Sequence, residues 1–364
     1  MAETLRRTSL WPCHAKLGAR MMPFSGYDMP VQYSGLIDEH QAVRQAAGLF
    51  DVAHMGVAKV EGSQARVFLD AACTRSFKSL APGRAAYTLL CRENGGTVDD
   101  LIVYCERDDL FWLVLNAGNK EKDVEYLQAL RTGFDARLSG PLDEWSLLAL
   151  QGPKSELVLR ALGWAQDWPK PFSFVNARLA GVEVKIAFTG YTGETGCEIF
   201  VPSGRAAELW EVILESGRPF GLKPAGLGAR DTLRTEMGYS LYGHELSETI
   251  NPIEAGLSWA VSFDKDFKGK EALLRAKAEP RRRLVALRTA SRQAPRNEMN
   301  VVDADGRAIG VVTSGTYAPS LGYAVGLALV DADATGPFFV DIRGKREPFE
   351  VAKRPFYVPS KIGA

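Results

Sequence analysis

The sequence predicts an α+β fold that closes with a small β barrel or jelly roll. Three observations carry that expectation. Short period-two segments are joined by tight-turn residues, helical patterns interleave with them, and the final section is strand-rich and broken by Gly and Pro.

The first fifty residues carry the turn signal Phe24-Ser-Gly-Tyr-Asp-Met-Pro30 and one helical pattern after Ser34. In that pattern Ile37, His40, Val43 and Ala47 recur at helical spacing, and Gly48 is expected to close it. A strand at Val57–Glu61 leads to Gly62-Ser63, where Ser63 is placed to cap a helix bearing Val67, Phe68 and Ala71. From Ala85 the period becomes two: Ala85–Cys91, Val98–Tyr104 and Leu110–Asn116 read as strands. Asn94-Gly95-Gly96 and Arg107-Asp108-Asp109 supply their hairpin turns, so the pairing is antiparallel. A helix follows from Asn119 to Leu130. Trp145–Leu150, Phe172–Leu179 and Val182–Phe188 read as further strands, with helices at Ser155–Leu162, Arg205–Ser216 and Gly228–Met237. Ala276–Arg283, with Pro280 and three arginines, reads as a linker into strands at Arg283–Leu287, Ala308–Thr313, Val325–Leu329 and Phe338–Ile342. The expected boundaries are 1–277, with a subdomain of roughly 52–140 interleaved within it, and 278–364 for the barrel.

Composition narrows the function classes. The 364 residues carry 44 Lys+Arg and 44 Asp+Glu, so no global charge draws the chain to nucleic acid or anionic lipid. No apolar run reaches the roughly 18 residues of a membrane span, and the start lacks an apolar signal core, so a cytoplasmic protein with no membrane partner is expected. The five cysteines form no Cys-x-x-Cys pair and the four histidines show no ligand spacing, so no metal site is expected.

Four stretches could carry chemistry. In Val98–Tyr104, strand alternation sends Asp99 and Asp100 to opposite faces, so the two are not expected to share a site. Asp100 joins Ile102 and Tyr104, where a carboxylate is partly desolvated. Asp99 lies nearer the Gly95-Gly96 turn and fits a hairpin cap, so Asp99→Asn is the expected mild control. Asn116, at the end of the neighbouring strand, either bonds a ligand or satisfies loop backbone. Gly190–Glu198 is not a phosphate-cradling glycine loop; Glu198 either accepts hydrogen bonds from a heterocycle or is a solvated turn residue. Arg230, in Pro224–Asp231, either meets a ligand carboxylate or pairs with Asp231 or Glu236.

The blocks Phe50-Asp-Val-Ala-His-Met-Gly56, Asn94-Gly-Gly-Thr-Val-Asp-Asp-Leu-Ile-Val-Tyr104, Asn116-Ala-Gly-Asn-Lys-Glu-Lys-Asp123, Thr189-Gly-Tyr-Thr-Gly-Glu194, Pro224-Ala-Gly-Leu-Gly-Ala-Arg-Asp231, Asn251-Pro-Ile-Glu-Ala-Gly-Leu257 and Thr313-Ser-Gly-Thr-Tyr-Ala-Pro-Ser320 stand in this order. Together they resemble the T-protein, or aminomethyltransferase, family of the glycine cleavage system. The resemblance implies a three-lobed clover-leaf around a central tetrahydrofolate site. It implies transfer of a one-carbon unit from the aminomethyl-lipoyl arm of H-protein to tetrahydrofolate, with release of ammonia and formation of 5,10-methylenetetrahydrofolate. Carried over by position, Asp100 is the essential acid. Tyr87, Asn116, Tyr191 and Glu198 hold the pterin side, Met55 and Tyr104 line the site, and Arg230 lies beside it.

Two departures from the family pattern stand out. The loop after Arg292 reads Gln-Ala-Pro-Arg296, and Cys197 replaces a commoner aromatic or aliphatic residue, which is expected to alter the shape of the site. Competing readings within the fold are a folate-dependent demethylase and a non-catalytic folate-binding protein of iron–sulfur assembly. Retention of Asn251-Pro-Ile-Glu weighs against the first, and the absence of a cysteine from Gly190-Tyr-Thr-Gly-Glu194 against the second.

Overall fold

Three sheets, each with a core of its own, make up the body of the computed structural model, which describes residues 4–359. A five-stranded antiparallel sheet runs in the order Arg84–Cys91, Thr97–Arg107, Leu110–Leu115, Gly56–Glu61, Arg137–Ser139. A six-stranded sheet runs Phe174–Leu179, Val182–Ala187, Gly196–Pro202, Trp145–Gln151, Ala47–Asp51, Leu222–Pro224, with only its last pair parallel. The C-terminal section is a closed six-stranded barrel, in the order Arg282–Thr289, Tyr323–Asp331, Ala308–Ala318, Asn300–Val302, Phe338–Ile342, Lys345–Ala352. Of the two expected forms, barrel or jelly roll, the barrel is realised. Closure pairs every strand edge and leaves no open template for another chain.

The first two sheets meet at a central apolar cluster. Phe50, Val52, Leu147, Ala149 and Phe200 come from the larger sheet; Val57, Ala85, Tyr104, Trp112 and Val114 come from the smaller. Strands buried on both sides lose their alternation, which is why Leu110–Leu115 reads as an unbroken apolar run. Trp112 and Val114 face the centre, whereas Phe111, Leu113 and Leu115 face the smaller sheet's own core. The helix Leu227–Met237 adds Ala229 and Leu233 to the centre and ends at Gly238, whose positive φ makes the left-handed turn a helix C-terminus favours.

Several local expectations are corrected. The first long helix spans Leu36–Gln45, and Ala47 and Gly48 belong to a strand held by partners on both sides; tertiary pairing overrides the helical pattern. Ser63 caps no helix. Its hydroxyl donates to Asp135, and in the helix Ala65–Ala72 Val67 points outward while Phe68 is fully buried. The expected linker at Ala276–Arg283 is mostly structured, since a helix Lys270–Ala278 runs to within four residues of the first barrel strand. Two barrel strands, Asn300–Val302 and Lys345–Ala352, and the hairpin Arg20–Phe24/Tyr27–Gln32 have no counterpart in the sequence reading. Among the described residues no helix is long and apolar enough to cross a membrane.

Candidate active site

The hairpin of the smaller sheet builds the site. Tyr87 stands opposite Ile102 and Leu89 opposite Asp100, so Tyr87 and Asp100 are diagonal neighbours on one face of the sheet. The Tyr87 hydroxyl donates to Asp100 Oδ2 at 3.0 Å. Ile102 also pairs with Val114, and two residues further on the same register brings Asn116 beside Asp100. The Asn116 Nδ2 amide donates to Asp100 Oδ1 at 2.9 Å and to the Asp100 carbonyl at 3.0 Å.

Both Asp100 oxygens therefore have donors, but the group is enclosed. Burial, and next the Asp99 carboxylate, raise it to about 7, against the lowering effect of Tyr87 and Asn116. A carboxyl that titrates near neutrality can accept or return a proton at physiological pH. Beside Asp100, the Tyr87 phenol is held well above its ordinary value by burial and by the carboxylate.

The expectation for Asp99 is overturned. It does not cap the hairpin: Asn94 Oδ1 does so, accepting from the Gly96 N–H at 3.0 Å. Asp99 is fully buried, and Oδ1 accepts from Asn116 Nδ2 at 3.0 Å and Asn119 Nδ2 at 2.8 Å. The two acids leave the strand on opposite faces yet meet at one amide, because Asn116 sits where the chain turns off the adjacent strand and reaches both. Strand alternation alone could not anticipate that bridge.

Glu198 lies on Gly196–Pro202, where alternation sends Glu198 and Phe200 toward the central cluster. It is buried, not a solvated turn residue, and accepts from the Thr189 hydroxyl at 2.5 Å. Cys197 faces the other way, into the larger sheet's core with Leu148 and Leu150, so it does not shape the Glu198 side. Tyr104 packs edge-on against Phe200 and is fully buried; its hydroxyl lies near Glu198, is pushed well above its ordinary value by burial, and has no hydrogen-bond partner among the described residues. Met55 packs against the same central cluster.

Arg230 pairs with neither expected acid. Asp231 is taken by Arg234 at 2.7 Å and Glu236 by Arg44 at 2.8 Å. The Arg230 guanidinium lies 4.8 Å from the Tyr191 ring centroid, its Nη1 is buried without an acceptor, and desolvation holds its pKa below the ordinary value. The Tyr191 hydroxyl donates to the Ser240 carbonyl, and its ring stacks on Tyr239 with centroids 5.8 Å apart. Tyr87 in turn stacks on Trp259, which is 61% exposed and has no distinguishing signal in the sequence. Asp99, Asn119 and Thr189 were likewise missed as site residues. Asn119 and Asp123, four apart at a helix start, were a readable pair.

The loop after Arg292 sits on the barrel, with Pro295 packed against Gly315 and Gly326 and Arg292 over Tyr317. Its departure from the family pattern is thus accommodated by two residues without side chains.

Comparison with known proteins gives a consistent result. Residues 10–265 match the family model described as the GCVT N-terminal domain, and residues 282–357 match the glycine cleavage T-protein C-terminal barrel domain. The aminomethyltransferase of Chlorobaculum tepidum is 44% identical over 359 residues, covering 97% of this chain and 98% of that one. The aminomethyltransferase of Shouchella clausii is 45% identical over 372 residues, covering 99% and 100%. The crystal structure of glycine cleavage system aminomethyltransferase T from Bartonella henselae superposes with a TM-score of 0.92 at 35% identity, covering 98% of this chain and 99% of that chain.

Proposed function

The chain belongs to the glycine cleavage T-protein family, the aminomethyltransferases of the glycine cleavage system, and we propose that it passes the one-carbon unit of an aminomethyl-lipoyl H-protein to tetrahydrofolate. The products are ammonia, 5,10-methylenetetrahydrofolate and the reduced lipoyl arm. The observation that carries the reading is Asp100, an enclosed carboxyl raised to about 7 and held by Tyr87 and Asn116.

The surroundings suit a flat heterocycle with both donors and acceptors. Tyr104 and Arg230 each offer a buried polar atom without a partner, and Glu198 offers an acceptor already steered by Thr189. Buried polar groups left unpaired cost about 1–3 kcal/mol each, so a ligand that satisfies them gains in proportion. Tyr87, Tyr191 and Met55 supply the apolar walls. Tetrahydrofolate, when bound, supplies the nitrogens that take up the carbon. Of the two nitrogen protons displaced by the carbon, one ends on the departing ammonia and one on the lipoyl thiol; Asp100 accepts a proton released there and returns it to a departing group, while its negative charge favours cationic character at the carbon being moved. Asn116 and Tyr87 fix the direction of the carboxylate lone pairs. On this reading the section 1–277 carries the folate-facing surface and the section 278–364 the barrel, their outermost residues 1–3 and 360–364 lying outside the described residues; no metal takes part, and the reaction runs in the cytoplasm.

Ammonia release from aminomethyl-loaded H-protein tests the proposal. Addition of tetrahydrofolate is expected to accelerate release in the presence of the protein, and release at the same rate with and without tetrahydrofolate overturns it.

A further inference from the structure

A second buried acid lies behind Asn116 and has no role in the steps above. Asp123, on the helix Lys120–Leu130, is fully buried, and among the described residues neither of its oxygens meets a donor. An ionised carboxylate cannot be held in that setting without compensation. Its neighbour Asp99, equally buried, is provided for differently: the Asn116 backbone N–H, the Asn116 amide and the Asn119 amide all donate to it, at 3.3, 3.0 and 2.8 Å. Asp99 is thus fully provided with donors, while their absence favours the neutral form of Asp123. A neutral Asp123 has one O–H, and Asp99 is the acceptor beside it.

We propose that Asp123 and Asp99 hold one proton between them, and that Asp99 acts through Asn116 as a positioning residue for Asp100; this rests on the role given to Asp100 above. Asn116 Nδ2 donates to Oδ1 of both acids, so the Asp99 charge fixes which end of the amide faces Asp100. The same charge opposes ionisation of Asp100 and holds it near neutrality instead of in the ordinary carboxylate range. The neutral Asp123 matters because a third charge in this space would repel the other two. Burial and Asp99 push Asp123 up to about 11, opposed by Lys122.

The charged and titratable neighbours are few. Asp123 faces Asp99 and Asp100 from the strand and Lys122 from its own helix, whose ammonium is directed to the Val98 carbonyl and the Tyr242 hydroxyl. Asp100 faces Asp99, Asp123, Tyr87 and Tyr191.

Infrared titration of the full protein without substrates tests this directly. Wild type is expected to keep a protonated-carboxyl stretch at pH 9 that Asp123→Asn removes. A second carboxyl, assigned by its loss in Asp100→Asn, is expected to titrate near neutrality and to move down by about one pH unit in Asp99→Asn. The proposal is overturned by the absence of a protonated carboxyl at pH 9, by its survival in Asp123→Asn, or by an unmoved Asp100 midpoint in folded Asp99→Asn. If Asp99→Asn does not fold, the Asp123→Asn comparison decides alone. Failure of tetrahydrofolate-dependent ammonia release with the infrared pattern intact would count against the transferase reading and leave the shared proton standing.

Discussion

At the scale of single residues, the proposed site centres on Asp100, a carboxyl held between opposing influences. Tyr87 lowers the Asp100 pKa and burial raises it, so Tyr87→Phe removes a donor from the charged form. The acid limb of kcat/KM, expected near pH 7 because the base must be ionised, should move to higher pH in that variant. A limb that stays in place would show that the hydroxyl does not act on Asp100. Asp123 makes a stability prediction of definite sign. Its folded pKa, about 11, exceeds the unfolded carboxylate value, so the folded state keeps a proton that the unfolded chain has released. Its contribution therefore worsens as pH rises above about 4. Asp123→Asn should be free of that loss. Its stability relative to wild type should climb from pH 5 to pH 9 by up to about 1.4 kcal/mol per pH unit, read from urea unfolding at each pH. Alternation placed Asp100 with Ile102 and Tyr104, which the structure bears out, but only the family resemblance singled it out as the acid. The role of Asp99 was not legible, because an amide from another strand brings its carboxylate to the same place, and no periodicity within one strand encodes that contact.

At the scale of elements, period and turn chemistry were good guides wherever hydrogen bonding was local. Asn94-Gly95-Gly96 does form the hairpin, and the strands on either side fall within a few residues of their expected limits. They failed where partners come from far along the chain. Ala47–Asp51 is a strand because Trp145–Gln151 and Leu222–Pro224 flank it, partners about 100 and 175 residues away that the helical pattern running into Ala47 could not reveal. The hairpin also docks on a distant loop: the Thr97 N–H donates to the Ser247 carbonyl at 2.9 Å, and a Cβ on Gly96 would lie 1.9 Å from the Glu248 carbonyl oxygen. Gly96→Ala should therefore force the loop away and cost about 1–3 kcal/mol of stability, measured by chemical denaturation, in contrast to the neutral effect of Ala at an exposed turn.

At the scale of the whole molecule, buried charge ties the barrel to the body. Arg44 lies between Glu194 and Glu236 at 2.9 and 2.8 Å and stacks 4.1 Å from the Tyr357 ring centroid, while Glu236 also accepts from the Ser320 N–H beyond the barrel strand. Arg44→Met removes the cation between two buried carboxylates, leaving Glu236 with only the Ser320 N–H and His40, and should cost about 3–5 kcal/mol in a denaturant titration. None of these partners was foreseen, since they lie about 150 residues and more apart in sequence, whereas the barrel itself was expected from its short strands and breakers. The two sheets of the body converge on the central cluster while the barrel keeps a core of its own, and the proposed function turns on the carboxyl at the cluster's edge. The most direct test pairs Asp100→Asn with wild type in tetrahydrofolate-dependent ammonia release from aminomethyl-loaded H-protein, with folate binding followed by calorimetry. Turnover should fall by about 10²–10⁴-fold while folate is still bound; turnover within a few-fold of wild type would contradict the assignment of Asp100 as the acid of the transfer.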